Sequence, residues 1–134
     1  MKTSKWVGLT AIALCAGMLV GCGQQQTKEA LVQLAAKELG KNVPQQLDSI
    51  TTLTKAEANN GTLNLYYTIS HPEAQAHAVE AEMGIRSNII EQYCYNDQNK
   101  KLREMGIEVN HNYTDSTGAS LFIIKADPSQ CAAK

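Results

Sequence analysis

The chain has 134 residues, with 12 Lys and Arg against 13 Asp and Glu for a formal net charge of −1. Its cations are dispersed: Lys100-Lys101-x-Arg103 is the one cluster and has Asp97 and Glu104 beside it, so no basic patch exists to hold nucleic acid. Aromatic residues are only 5%, which leaves an aliphatic core, and the apolar run over residues 6–20 is shorter than the ~20 residues that span a bilayer.

That N-terminal run has the layout of an export signal. Lys2 and Lys5 form a basic head, an apolar body follows, and small Gly21 precedes Cys22. Leu19-Val20-Gly21-Cys22 resembles the bacterial lipobox, which implies that the Cys22 thiol is acylated and that the peptidase cuts just before it. Residues 1–21 are then a lipoprotein signal peptide, residues 22–27 a lipid-anchored tether, and residues 28–134 a single domain. Cleavage removes two of the 12 cations and none of the 13 anions, so the mature net charge is −3. Gly23, where an Asp would retain such a protein at the inner membrane, resembles the default sorting to the outer membrane. The expected location is therefore the bacterial envelope, at the outer membrane and facing the periplasm or the cell surface.

Residues 23–27 are polar and aperiodic. A first helix is predicted over 28–39, where Leu31, Leu34, Ala35 and Leu39 form one stripe, Glu29 and Lys37 suit the helix dipole, and Gly40 supplies a stop. Asn42-Val43-Pro44 then requires extended chain. Two strands over 50–58 and 62–70 flank Asn59-Asn60-Gly61, whose residue types tolerate the positive φ of a tight hairpin. In the second strand Leu63, Leu65, Tyr67 and Ile69 alternate with Thr62, Asn64, Tyr66 and Thr68, the pattern of a sheet covered on one side.

Ser70-x-x-Glu73 has capping-box spacing and opens a second helix over 72–93, with Val79, Met83, Ile90 and Cys94 on its main face, Ile89 alongside, and Gly84 as a point of kinking. A short third helix runs over 97–104 and stops at Gly106. The last hairpin turns at Asp115-Ser116-Thr117-Gly118, and its second strand contains Leu121-Phe122-Ile123-Ile124, the most apolar run of the mature chain and the expected central strand. The order αββααββ predicts an α+β domain: a four-stranded antiparallel sheet of two hairpins, with two to three helices on one face.

Of four cysteines, Cys15 lies in the signal and Cys22 takes the lipid, which leaves Cys94 and Cys131 in an oxidising compartment. Their disulfide closes a loop of about 38 residues, worth roughly 4 kcal/mol on the chain-entropy model. The rival, two free thiols with a redox or metal role, lacks Cys-x-x-Cys spacing and a nearby His pair.

The remaining chemistry is sparse. His71 and His77 are six apart and do not share a helical face, while His111 occupies the apolar register of a strand, so no metal site is expected. Glu80, Glu82 and Glu91 read as a solvated helix face without a nucleophile motif or phosphate loop to accompany them. No cofactor beyond the covalent lipid is expected, and the chain is read as a binding protein, not an enzyme.

Val43-Pro44, the run from Ile50 through Thr51, Thr52, Leu53, Thr54, Lys55, Ala56 and Glu57 to Ala58, and Asn60-Gly61-Thr62 resemble the first half of the AspS-type pilotins, small outer-membrane lipoproteins of type II secretion. Cys94, Leu102, Gly106-Ile107, Gly118 and Cys131 match the second half in layout, and uncharacterised bacterial lipoproteins share that layout. The resemblance implies an escort that binds the C-terminal segment of a secretin subunit, with the membrane reached through the lipid on Cys22. The alternatives are a lipid-anchored inhibitor or adhesin-like module and a structural envelope lipoprotein. A docking groove is expected beside the Ala-rich second helix (Ala74, Ala76, Ala78, Ala81), and Tyr66 and Tyr67, on opposite strand faces, are the candidate partner contacts.

Overall fold

A computed structural model describes residues 27–131. Helix α1 (Lys28–Gly40) is followed by strands β1 (Gln45–Gln46), β2 (Thr51–Asn59) and β3 (Thr62–Ile69). Helix α2 (Ala78–Tyr95), a 3₁₀ turn (Asp97–Asn99) and helix α3 (Lys100–Glu104) then lead to strands β4 (Glu108–Asp115) and β5 (Ser120–Ala126), with a last 3₁₀ turn at Pro128–Gln130. Cys22 and the signal segment lie outside the described residues.

The five strands form one mixed sheet in the order β1-β2-β3-β4-β5. The expected four antiparallel strands are corrected in two ways. Gln45–Gln46 adds a short edge strand beside β2, and β3 pairs β4 in parallel, from Thr62 opposite Glu108 to Ile69 opposite Asp115. Parallel neighbours need a long crossover, and the segment holding α2 and α3 is one. The run at 121–124 is therefore an edge strand rather than the centre: β4 has β3 on one side and only its hairpin partner β5 on the other. Phe122 and Ile124 point into the core, while Ile123 is 56% exposed on the opposite face.

The β2–β3 turn is as predicted, with Asn60 at φ 54° and Gly61 at φ 78°. α1 also forms as predicted, one residue longer, with Thr27 as its N-cap accepting from the Ala30 N–H at 3.0 Å. Its buried stripe is rotated from the expected one: Val32 and Ala36 join Leu31, Ala35 and Leu39, leaving Leu34 half-buried at the margin. Gly40 is the last helical residue and Lys41 the cap, so the helix ends without a left-handed glycine.

α2 departs further. The Ser70 N–H bonds the Ile50 carbonyl at 2.7 Å, which extends the sheet, and the Glu73 carboxylate turns to His77 Nε2 at 3.0 Å instead of reaching back to Ser70. The capping box therefore does not form, residues 71–77 fold as turns, and the helix starts at Ala78. Gln75 anchors these turns by donating to Asp115 at 2.9 Å. The buried face of α2 is also rotated: Ala78, Ala81, Ile85 and Ile89 pack on the core, and Val79 and Met83 are each 68% exposed. Small alanines let the helix backbone approach the sheet, which swings the bulkier residues at 79 and 83 outward. Ile90 is half-buried, Cys94 is buried, and the helix passes through Gly84 without a break.

Beyond α2, Asn96 caps the 3₁₀ turn through the Gln98 N–H, and Gly106, at φ 69°, ends the α3 segment. Cys94 and Cys131 are joined in a disulfide, with Cα atoms 5.2 Å apart, tying the chain end to the end of α2. Among the described residues the buried apolar side chains belong to one core on the helix-covered face. The other face is polar, with Asn110 Nδ2 donating to Asn64 at 3.3 Å and Lys125 facing Glu108 at 3.6 Å.

Candidate functional site

The helices do not close over the sheet. Between them lies a cleft of about 460 Å³, within the usual range of ligand clefts, roughly 300–1,000 Å³. Its floor is the inward register of three strands: Leu53 of β2, Leu65 and Tyr67 of β3, and Val109, His111 and Tyr113 of β4. Ile85, Ile89 and Tyr93 of α2 form one wall, with Gly84, Asn88 and Gln92 beside them. The opposite wall combines Leu39, at the end of α1, with Leu47, Asp48 and Thr51. Gly84 opens this side: a methyl group added there would meet no atom within 4 Å.

Cross-strand register builds the aromatic floor. Tyr67 lies opposite Tyr113, and Tyr113 opposite Phe122. Their centroids are 4.5 and 4.8 Å apart, which gives a row of rings across β3, β4 and β5. The His111 ring lies nearly parallel to Tyr67, with centroids 5.7 Å apart, and its Nδ1 is 2.8 Å from the Tyr67 hydroxyl. Burial holds His111 down at about 4 and raises Tyr67 and Tyr113 well above the ordinary phenol range, so all three are uncharged at neutral pH. Tyr93 donates to the Ile107 carbonyl at 2.6 Å, and burial pushes its hydroxyl up to about 12.

The residues singled out from the sequence divide between the two faces. Tyr67 is buried in the cleft floor. Tyr66 points to the polar face, half-buried, with the Lys55 ammonium 4.8 Å from its ring centroid. A bulge between Leu53 and Lys55 brings Lys55 opposite Tyr66. His71 accepts from the Glu73 N–H at 3.1 Å, and His77 pairs with Glu73 and, at 3.8 Å, with Glu80. Glu82 pairs with Arg86, and none of Glu80, Glu82 and Glu91 lines the cleft. Among the described residues no three His, Cys, Asp or Glu gather into a metal-binding group.

A groove lies beside α2, but along Gly84 to Tyr93 and not beside the alanines: Ala74 and Ala76 precede the helix, and neither Ala78 nor Ala81 lines the cleft. Asn88 and Gln92 look like surface residues of a polar helix, and Leu47 and Asp48 lie in an irregular segment with no periodic signal. Tyr67, a candidate contact from its strand register, is in the lining, and His111 is legible as a polar side chain in the register of Val109 and Tyr113.

The sequence matches no family model and no curated protein. Its architecture does have solved counterparts. The pilotin EpsS of the Vibrio vulnificus type 2 secretion system superposes with a TM-score of 0.67 at 12% identity, over 80% of this chain and 94% of that one. The type II secretion pilotin AspS of Vibrio cholerae gives 0.62 at 17% identity, over 78% and 92%. This chain has the pilotin fold. A protein of Pseudomonas aeruginosa described as secreted shares it as well, with a TM-score of 0.64 at 13% identity over 81% of this chain and 100% of that one.

Proposed function

We propose that this chain is a pilotin-like lipoprotein: anchored in the outer membrane through acylated Cys22, it acts by binding, without catalysis, and escorts a secretin subunit of a secretion system. The observation that carries the reading is the cleft between α1 and α2, apolar along its floor and built on a fold that named pilotins share. Such a cleft suits a short amphipathic helix or extended tail, whose apolar side chains gain by leaving water for an aromatic and aliphatic floor. Asp48 is the one charged residue among the described residues of its lining, so burial rather than ion pairing supplies the affinity.

The test is titration of the full-length lipoprotein, held in lipid nanodiscs, with C-terminal peptides of the secretins encoded in the same genome. Saturable binding at micromolar peptide is expected. Gly84→Leu should abolish it, because the new side chain would stand in the cleft, whereas Gly84→Ala should bind normally and stabilise α2 by about 1 kcal/mol. No detectable binding at high micromolar peptide, for every secretin tried, would overturn the proposal.

A further inference from the structure

The cleft floor contains a hydrogen-bond donor that no protein group among the described residues accepts from. Tyr67 remains protonated, and a buried phenol gains by giving its proton to an acceptor. The acceptor it reaches among the described residues is His111 Nδ1, at 2.8 Å. With Tyr67 as the donor, Nδ1 is the unprotonated nitrogen and the neutral ring carries its hydrogen on Nε2. No hydrogen bond from that nitrogen is made among the described residues, although the ring lines the cleft between Val109 and Tyr113.

The other titratable groups of the lining do not take it up. The Tyr93 hydroxyl is committed to the Ile107 carbonyl, and the Asp48 carboxylate oxygen accepts from the Ile50 and Thr51 N–H groups at 2.9 and 2.8 Å. Tyr113 stacks on Tyr67 and Phe122, and its hydroxyl, like His111 Nε2, makes no hydrogen bond among the described residues, so it is a second uncharged donor of the floor. Among the described residues no Lys or Arg lines the cleft, so a carboxylate entering it would lose its hydration without finding a counter-charge there and would meet Asp48.

We infer that the cleft recognises an apolar group carrying an uncharged hydrogen-bond acceptor, and that His111 Nε2–H, set in its tautomer by Tyr67, is a donor that reads it. If the docked segment belongs to a secretin, which rests on the function proposed above, this acceptor is a Ser, Thr, Asn or Gln oxygen, or a helix-terminal carbonyl, among apolar side chains. The cleft's preference for a neutral acceptor does not depend on which protein supplies it.

Ring-nitrogen NMR of the histidines, on the full-length protein in nanodiscs, tests this with three small probes at matched free concentrations. Acetophenone presents a carbonyl, ethylbenzene has the same shape without one, and benzoate presents an anion. The free protein should show His111 as the Nε2–H tautomer. Acetophenone should move that signal and bind about tenfold more tightly than ethylbenzene, the ratio a single net hydrogen bond supplies, with benzoate weakest. His111→Phe should shrink the difference, and so should Tyr67→Phe, which frees Nδ1. Equal binding of acetophenone and ethylbenzene, or a free His111 with its hydrogen on Nδ1, overturns the inference without the need for any variant to fold. Failure of every secretin peptide alongside an intact acetophenone preference overturns the secretin reading and leaves this one standing.

Discussion

Arg103 donates one guanidinium nitrogen to two carbonyls at the end of α2, Tyr93 O and Asn96 O, each at 2.9 Å. No basic residue occupies the last turn of α2 itself, so the cation that complements its dipole comes from the next helix. Arg103→Ala should destabilise the fold by about 1–3 kcal/mol, because two partly buried carbonyls lose a charged donor. Arg103→Lys should recover part of this, since the charge remains but the planar fork is lost. Urea unfolding of the three proteins checks both statements.

The disulfide between Cys94 and Cys131 should contribute more. The double variant Cys94→Ala/Cys131→Ala is expected to lose roughly 2–5 kcal/mol. Protein taken from the envelope should be two hydrogens lighter than its reduced form, and alkylation before reduction should label neither cysteine. Two free thiols in that sample would show that the bond does not form in the cell.

His111 should make stability depend on pH. Below about pH 6.5 the unfolded chain takes up a proton on His111 that the folded chain refuses until about pH 4. The unfolded state thus binds more protons in that window, so stability falls as pH drops through it and levels off beneath it. At most roughly 3 kcal/mol is at stake. Unfolding free energies measured from pH 7 to pH 4 should show the decline, and His111→Phe should flatten it.

Cys22→Ser should remove the lipid and the anchoring that depends on it, since several acyl chains at about 0.8 kcal/mol per buried CH₂ are what hold such a protein on the bilayer. Labelled fatty acid and membrane fractionation are the measurements. A variant that still incorporates label and sediments with membranes would reject the lipobox reading.

Local features of this fold were legible because local chemistry decides them. Asn60-Gly61 fixes a hairpin, and alternation along β3 and β4 fixes which side chains face inward, His111 and Tyr67 included. The larger failures are nonlocal. Nothing within 120–126 says that the strand lies at an edge, because that depends on where the crossover sets β4 down. The apolar run there reflects two faces with different fates, a core under Phe122 and Ile124 and an open surface around Ile123. On α2, Val79 and Met83 outrank Ala78 and Ala81 in hydrophobicity, yet the alanines are packed, because close approach of the helix favours small side chains over apolar bulk. The cleft is likewise a property of helix spacing and leaves no periodic trace.

The parallel seam between β3 and β4 also sets an order of events during synthesis. Leu65 faces His111 across it, so the seam cannot form until the chain has been made well past α3. Until then β1, β2 and β3, with α1 packed against them, must wait with the inner edge of β3 unpaired. Such nonlocal closure is slow, and the waiting edge is a template for pairing with other chains. A nascent molecule stalled before residue 108 would therefore be a substrate for holding chaperones and proteases, whereas the finished one has that edge sealed by β4.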